Sequence, residues 1–161
     1  MIDVSELAPL ALYLKYVVRI PSLLIIEEPE AHLHPETQVK IVRLIAKLVR
    51  NGLYILITTH SDFLLNEISN LILAGNLKPE ERAKEGYGPD EYLTKDEVIA
   101  YLFKMGDKGS TALKLEITNE GIPGEEFEKI ASELYDKFVR MHYRQTRRGV
   151  TDGEEARKEE V

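Results

Sequence analysis

Two short aliphatic runs, Leu23-Leu24-Ile25-Ile26 and Leu53-Tyr54-Ile55-Leu56-Ile57, constrain this chain more than any other feature. Neither alternates apolar with polar residues, so each predicts a strand covered by helices on both faces, over 22–27 and 53–58. Between them Ile41, Leu44, Ile45 and Leu48 recur at helical spacing. Pro35 suits the first turn and Gly52 the stop of a helix over 36–51. A crossover of that length joins two parallel strands, right-handedly. The fold class is therefore α/β. The runs also end alike, the first in Glu27-Glu28-Pro29-Glu30 and the second in Thr58-Thr59-His60-Ser61. Ligands of open α/β sheets sit at the C-terminal ends of the strands, where these polar groups fall.

Around that unit the pattern is simpler. Leu7, Leu10, Ala11, Leu14, Val17 and Val18 predict an amphipathic helix over 7–19, with Pro9 in its first turn and Pro21 beyond its end. A helix from Asp62 to Ala74 follows, capped by Ser61 or Asp62. Gly75, Pro79, Gly86, Gly88 and Pro89 punctuate an acid-rich stretch, 75–96, that reads as an exposed excursion. Val98 to Lys104 and Thr111 to Thr118 then predict a β-hairpin with one wet face, turning through Met105 to Ser110. Gly121-Ile122-Pro123 opens a last helix, on which Phe127, Ile130, Ala131, Leu134, Phe138 and Met141 keep helical spacing. After Tyr143 periodicity stops, and 144–161 reads as a mobile polar tail.

Totals exclude some classes. A chain of 161 residues buries one substantial core. It has no cysteine, hence neither disulfides nor thiolate metal sites. No apolar run approaches the ~18 residues of a membrane span, and the acidic N-terminus is not a secretory signal. Together these predict a soluble, cytoplasmic protein. The net charge of −7 argues against a general nucleic-acid coat. One acid-free patch, Lys137, Arg140, His142, Arg144, Arg147 and Arg148, is chemically able to touch nucleic acid, although cations at a helix C-terminus also favour the dipole. Lys40, Arg43, Lys47 and Arg50 read as a solvated helix face. His32 and His34 lack a third ligand of settled geometry, so loop packing is the simpler reading than zinc.

The strand ends carry the chemistry. Paired acids after a buried strand point into different surroundings. One can face Mg²⁺ through water, since Mg²⁺ keeps much of its hydration shell. The next can hold and deprotonate an attacking water in phosphoryl transfer. His60, at the neighbouring strand end, can donate to a phosphate oxygen.

The segment Leu23-Leu24-Ile25-Ile26-Glu27-Glu28-Pro29-Glu30-Ala31-His32-Leu33-His34-Pro35 resembles the Walker B and D-loop region of ABC-type ATPases. It is most similar to their soluble branch, with the AAA/OLD-like, RecF-like and SMC-like heads. Thr58-Thr59-His60-Ser61 resembles that family's switch histidine, and Ser5-Glu6-Leu7-Ala8-Pro9-Leu10 the helix after its signature motif. The resemblance implies a partial P-loop NTPase sheet with parallel strands and flanking helices, plus a C-terminal hairpin and helix, over 1–143. It implies ATP and Mg²⁺ as cofactors. Glu27 would take the metal position, Glu28 the catalytic base, His60 the γ-phosphate sensor and His34 the D-loop position facing a dimer partner. Ser61, beside the sensor, joins His34 as a nucleotide-side contact. Glu27 stands where the family usually has Asp, one methylene shorter.

One part of the family pattern is absent. The Walker A sequence G-x-x-x-x-G-K-[ST], whose backbone N–H groups cradle phosphates, occurs nowhere in the chain. In Gly106-Asp107-Lys108-Gly109-Ser110-Thr111 the lysine precedes the glycine, and a hairpin turn accounts for the composition. The chain thus resembles the C-terminal half of an ATPase head, inactive alone and completed by a Walker A-bearing half or subunit or by oligomerisation. Without the P-loop strand, 53–57 should show an unpaired edge. The alternative is a non-catalytic regulatory or binding module that keeps the fold.

Overall fold

A computed structural model describes residues 4–107, 109–124 and 132–144. The order is α1 (Val4–Tyr16), β1 (Leu23–Glu27), α2 (Pro35–Arg50), β2 (Tyr54–Thr58), α3 (Asp62–Gly75), α4 (Pro79–Lys84), a 3-10 turn (Lys95–Glu97), β3 (Ala100–Gly106) and β4 (Gly109–Leu115). A further helix, α5, covers 132–144. The chain divides into two compact units, Met1–Pro123 and Gly124–Val161. This is an α/β molecule with a parallel pair, an antiparallel hairpin and flanking helices, consistent with a partial P-loop NTPase fold.

β1 and β2 pair in parallel from Leu23↔Tyr54 to Glu27↔Thr58. Helix α2 bridges them. His34 is its N-cap and Pro35 occupies its first turn. Gly52, at φ +88°, takes the chain out of it in a conformation that a side chain would strain. The core lies chiefly between α2 and α3: Ile41, Val42 and Ala46 meet Leu64, Leu71 and Ile72, and Leu93 joins from beyond α4. Val42 and Ala46, not Leu44, complete the inner stripe of α2, and Leu44 is 40% exposed. Leu24 is buried and Ile57 packs partly against the core.

The opposite sheet face departs from expectation. Leu23, Ile25, Tyr54 and Leu56 are 61%, 60%, 70% and 52% exposed, so helices cover the strands on one face only. Runs that are apolar on both faces predict two-sided cover; the second layer is not among the described residues. Both outer edges of the pair also lack a strand partner among the described residues.

Other elements shift modestly. α1 begins and ends earlier than 7–19, which moves Pro9 into the helix interior. The chain then reaches β1 through a cis Ile20–Pro21 bond. The hairpin turn is tighter than expected, with Gly106 paired to Gly109; Lys108 lies outside the described residues. Its wet face is not wet in composition. Tyr101, Phe103 and Met105 share the face of Lys114, Ala112 and Ser110, and are 56%, 71% and 84% exposed.

Residues 75–96 are exposed over most of their length yet pinned to the core. Leu93 is buried and its N–H donates to the Leu71 carbonyl at 3.0 Å. Buried Arg82 donates to the Ala74, Leu77 and Pro89 carbonyls and stacks over Tyr92. Gly75 is obligatory for this approach, since a Cβ there would lie 2.0 Å from the Leu93 carbonyl oxygen. The basic face of α2 is likewise occupied. Arg43 pairs with Glu67 at 2.7 Å, Lys47 with Glu91 at 2.7 Å, and Arg50 with Glu97. Three of the four cations read as solvated thus form an electrostatic seam with acids of α3 and of the 85–97 stretch.

In the second unit, α5 carries Lys137, Arg140, His142 and Arg144 of the basic patch, with His142 stacked on Phe138 at 6.1 Å. Arg147, Arg148, Phe127, Ile130 and Ala131, with the 145–161 tail, lie outside the described residues. No helix among the described residues is long and apolar enough to cross a membrane.

Candidate functional site

Parallel pairing brings both polar strand ends to one edge. Glu27 closes β1 opposite Thr58, with its side chain exposed. The next residue leaves the strand by an unusual route. Glu28 adopts φ +44°, a left-handed conformation that costs an L-residue about 1 kcal/mol or more. Its N–H donates to the Thr58 carbonyl at 3.0 Å and lies 3.3 Å from the Thr58 Oγ1. That extends the ladder by one bond while turning the carboxylate away from the strand's own alternation.

The carboxylate meets His60. Glu28 Oε1 lies 3.5 Å from His60 Nε2, with the side chains 52% and 89% exposed. Sequence-distant residues therefore stand side by side at the strand termini, open to solvent. A carboxylate placed so can accept a proton from water, and the imidazole can donate to an anionic oxygen.

Glu27 and Glu28 supply hard oxygen donors beside one another, which suits a cation that keeps its water. No group of three His, Asp or Glu side chains able to hold a metal alone occurs among the described residues. A Mg²⁺ held here would keep most of its water and take its remaining ligands from outside these two carboxylates.

Two predicted residues serve as helix caps. His34 caps α2, its Nδ1 accepting from the Glu36 N–H at 3.4 Å, and no hydrogen bond or ion pair joins it to Glu27, Glu28 or His60. Ser61 caps α3, accepting from the Leu64 N–H at 3.3 Å and donating to Gln38 Oε1 at 2.6 Å. Its hydroxyl is committed to the scaffold. His32, at φ +63°, belongs to the turn between β1 and α2.

Sequence reasoning missed Glu30. It is 8% exposed, and its Oε1 accepts from Thr59 Oγ1 at 2.5 Å and from the His60 N–H at 3.0 Å. The available signal was its place after Pro29, where the strand period no longer forces an acid outward.

A family model described as "AAA domain, putative AbiEii toxin, Type IV TA system" matches residues 5–66, the stretch that contains both strand ends. The similarity over this stretch supports a relationship to the AAA-type, P-loop NTPase ATPases. The match suggests a nucleotide-binding, ATPase-like domain at that coarse level, and nucleotide and Mg²⁺ are the general dependence of such domains. No curated protein and no solved structure matches the chain.

Proposed function

We propose that this AAA-related chain supplies the water-activating and phosphate-sensing half of an ABC-type ATPase head. The observation that carries the reading is the Glu28–His60 pair, 3.5 Å apart at adjacent parallel strand ends. Glu28 holds the attacking water and takes its proton. His60 donates to the γ-phosphate oxygens as their charge develops. Glu27 would hold Mg²⁺ through water, and the ion would neutralise phosphate charge when bound. His34, at the start of α2, faces a second head, and Ser61 keeps the sensor's backbone in place. The phosphate grip comes from a Walker A-bearing segment or subunit, because the chain has no such sequence. The assembly works as a homo- or hetero-oligomer; ATP hydrolysis is its reaction and the cell interior its place.

Isothermal titration with Mg-ATP, on this chain alone and with a Walker A-bearing half, tests the reading. Binding should appear only in the mixture. Glu28→Gln should then retain nucleotide while lowering turnover by about 10²–10⁴-fold. Absence of binding in both arms would leave a non-catalytic module, and unchanged turnover in the variant would remove Glu28 from the chemistry.

A further inference from the structure

His60 is anchored chiefly through its backbone. Its side chain is 89% exposed and lies 3.5 Å from the Glu28 carboxylate, so burial does not fix the imidazole. The segment that carries it, 59–61, belongs to neither β2 nor α3. What holds that segment is a chain of hydrogen bonds to the loop after β1. Thr59 Oγ1 and the His60 N–H both donate to Glu30 Oε1, at 2.5 and 3.0 Å. The Ser61 N–H donates to Thr59 Oγ1 at 3.0 Å, Ser61 Oγ to Gln38 Oε1 at 2.6 Å, and Gln38 Nε2 to the Leu33 carbonyl at 2.9 Å. The Leu33 N–H returns to the Glu30 carbonyl at 2.9 Å, and the Ala31 N–H to that of Glu28. The circuit closes on Glu30.

We infer that Glu30 is a positioning residue that couples the general base to the sensor, resting on the reading proposed above for Glu28 and His60. A buried carboxylate is costly unless its bonds are made. Here Oε1 makes two, while Oε2 is buried without a protein donor among the described residues. A residue kept for stability alone would be better served by an apolar side chain. The arrangement makes sense as geometry. Glu30 is two residues from Glu28 and bonds the backbone of His60 directly, so beyond the last ladder bond, from the Glu28 N–H to the Thr58 carbonyl, it sets the distance between two exposed side chains. The three acids of Glu27-Glu28-Pro29-Glu30 thus divide, two outward for chemistry and one inward to register the loops.

Amide exchange and His60 ring NMR on the full chain, without nucleotide, test this apart from any ATPase activity. Glu30→Ala should speed exchange of the His60 N–H by about tenfold or more, the loss of one charge-assisted bond. Exchange within β1 should stay unchanged. Glu30→Gln, which keeps an acceptor oxygen, should restore protection, and Thr59→Val should fall between. Glu28→Gln should move the His60 ring signals in the parent and leave them unmoved in the Glu30→Ala background. Parent-like exchange in Glu30→Ala, or a ring response to Glu28→Gln that survives there, would overturn the inference. If Glu30→Ala does not fold, Thr59→Val decides: parent-like protection of His60 overturns the inference and reduced protection supports it. Failure of the Mg-ATP titration with these NMR results intact would instead remove only the ATPase reading.

Discussion

At the scale of single residues, the site depends on a backbone departure at Glu28. A non-glycine residue at φ +44° carries strain that the Thr58 carbonyl bond and the following turn must hold in place. The strain separates from the carboxylate by comparing two truncations. Glu28→Gly should be more stable than Glu28→Ala by about 1 kcal/mol, because only glycine accepts the left-handed region freely. Chemical denaturation of both variants measures this. Equal stabilities would mean that the turn relaxes once the acid is gone. The identities at this site were legible in the sequence, since an acid pair and a histidine at the ends of two aliphatic runs can hardly be placed elsewhere. Glu30 was not, because burial of one acid among three is decided by the direction the chain takes after Pro29. Nor was the capping work of His34, which depends on a local backbone angle.

Among elements, the unexpected feature is the seam between α2 and the stretch beyond α4. The sequence placed Arg43, Lys47 and Arg50 on one helix face correctly, but periodicity alone does not say what covers a polar face. Here it is an acidic segment, pinned by Arg82 and Leu93, that lays Glu91 and Glu97 against those cations. The Gly88 N–H first, and then Lys47, hold the Glu91 carboxyl below the usual carboxylate range. A lowered folded-state pKa stabilises above the unfolded value, which is 4.5, and that stabilisation is lost as pH falls through the folded value. Glu91→Gln should therefore cost about 1–2 kcal/mol near neutral pH. The gap between parent and variant should close as pH drops well below 4.5. Thermal unfolding of both proteins across that range reads it directly. A gap that persists in acid would assign the loss to packing instead. The helix boundaries near α2 and α3 followed the sequence closely because proline, glycine and a serine cap mark them. Those of α1 and the hairpin did not, since Pro9 and the glycines around 106 each permit more than one start or stop.

For the whole molecule, the described part of the sheet is one layer short. Four apolar side chains, Leu23, Ile25, Tyr54 and Leu56, stand bare on one face, and the pair is open along both edges. Composition could not reveal this, because a doubly apolar strand has the same sequence whether its second cover comes from its own chain or another. Contiguous apolar surface of this kind drives association. Leu56→Lys should lower concentration-dependent light scattering while changing stability by no more than about 0.5 kcal/mol, since the side chain is already more than half in water. Scattering that does not change would locate the sticky surface elsewhere, with the Tyr101–Phe103–Met105 row the next place to substitute. The bare face also bears on supply. Molecules made in excess of whatever covers that face keep it in water, where chaperones and proteases recognise it. Were the proposed partner to cover it, the amount of this chain that persists in a cell would be set by the abundance of that partner rather than by its own rate of synthesis.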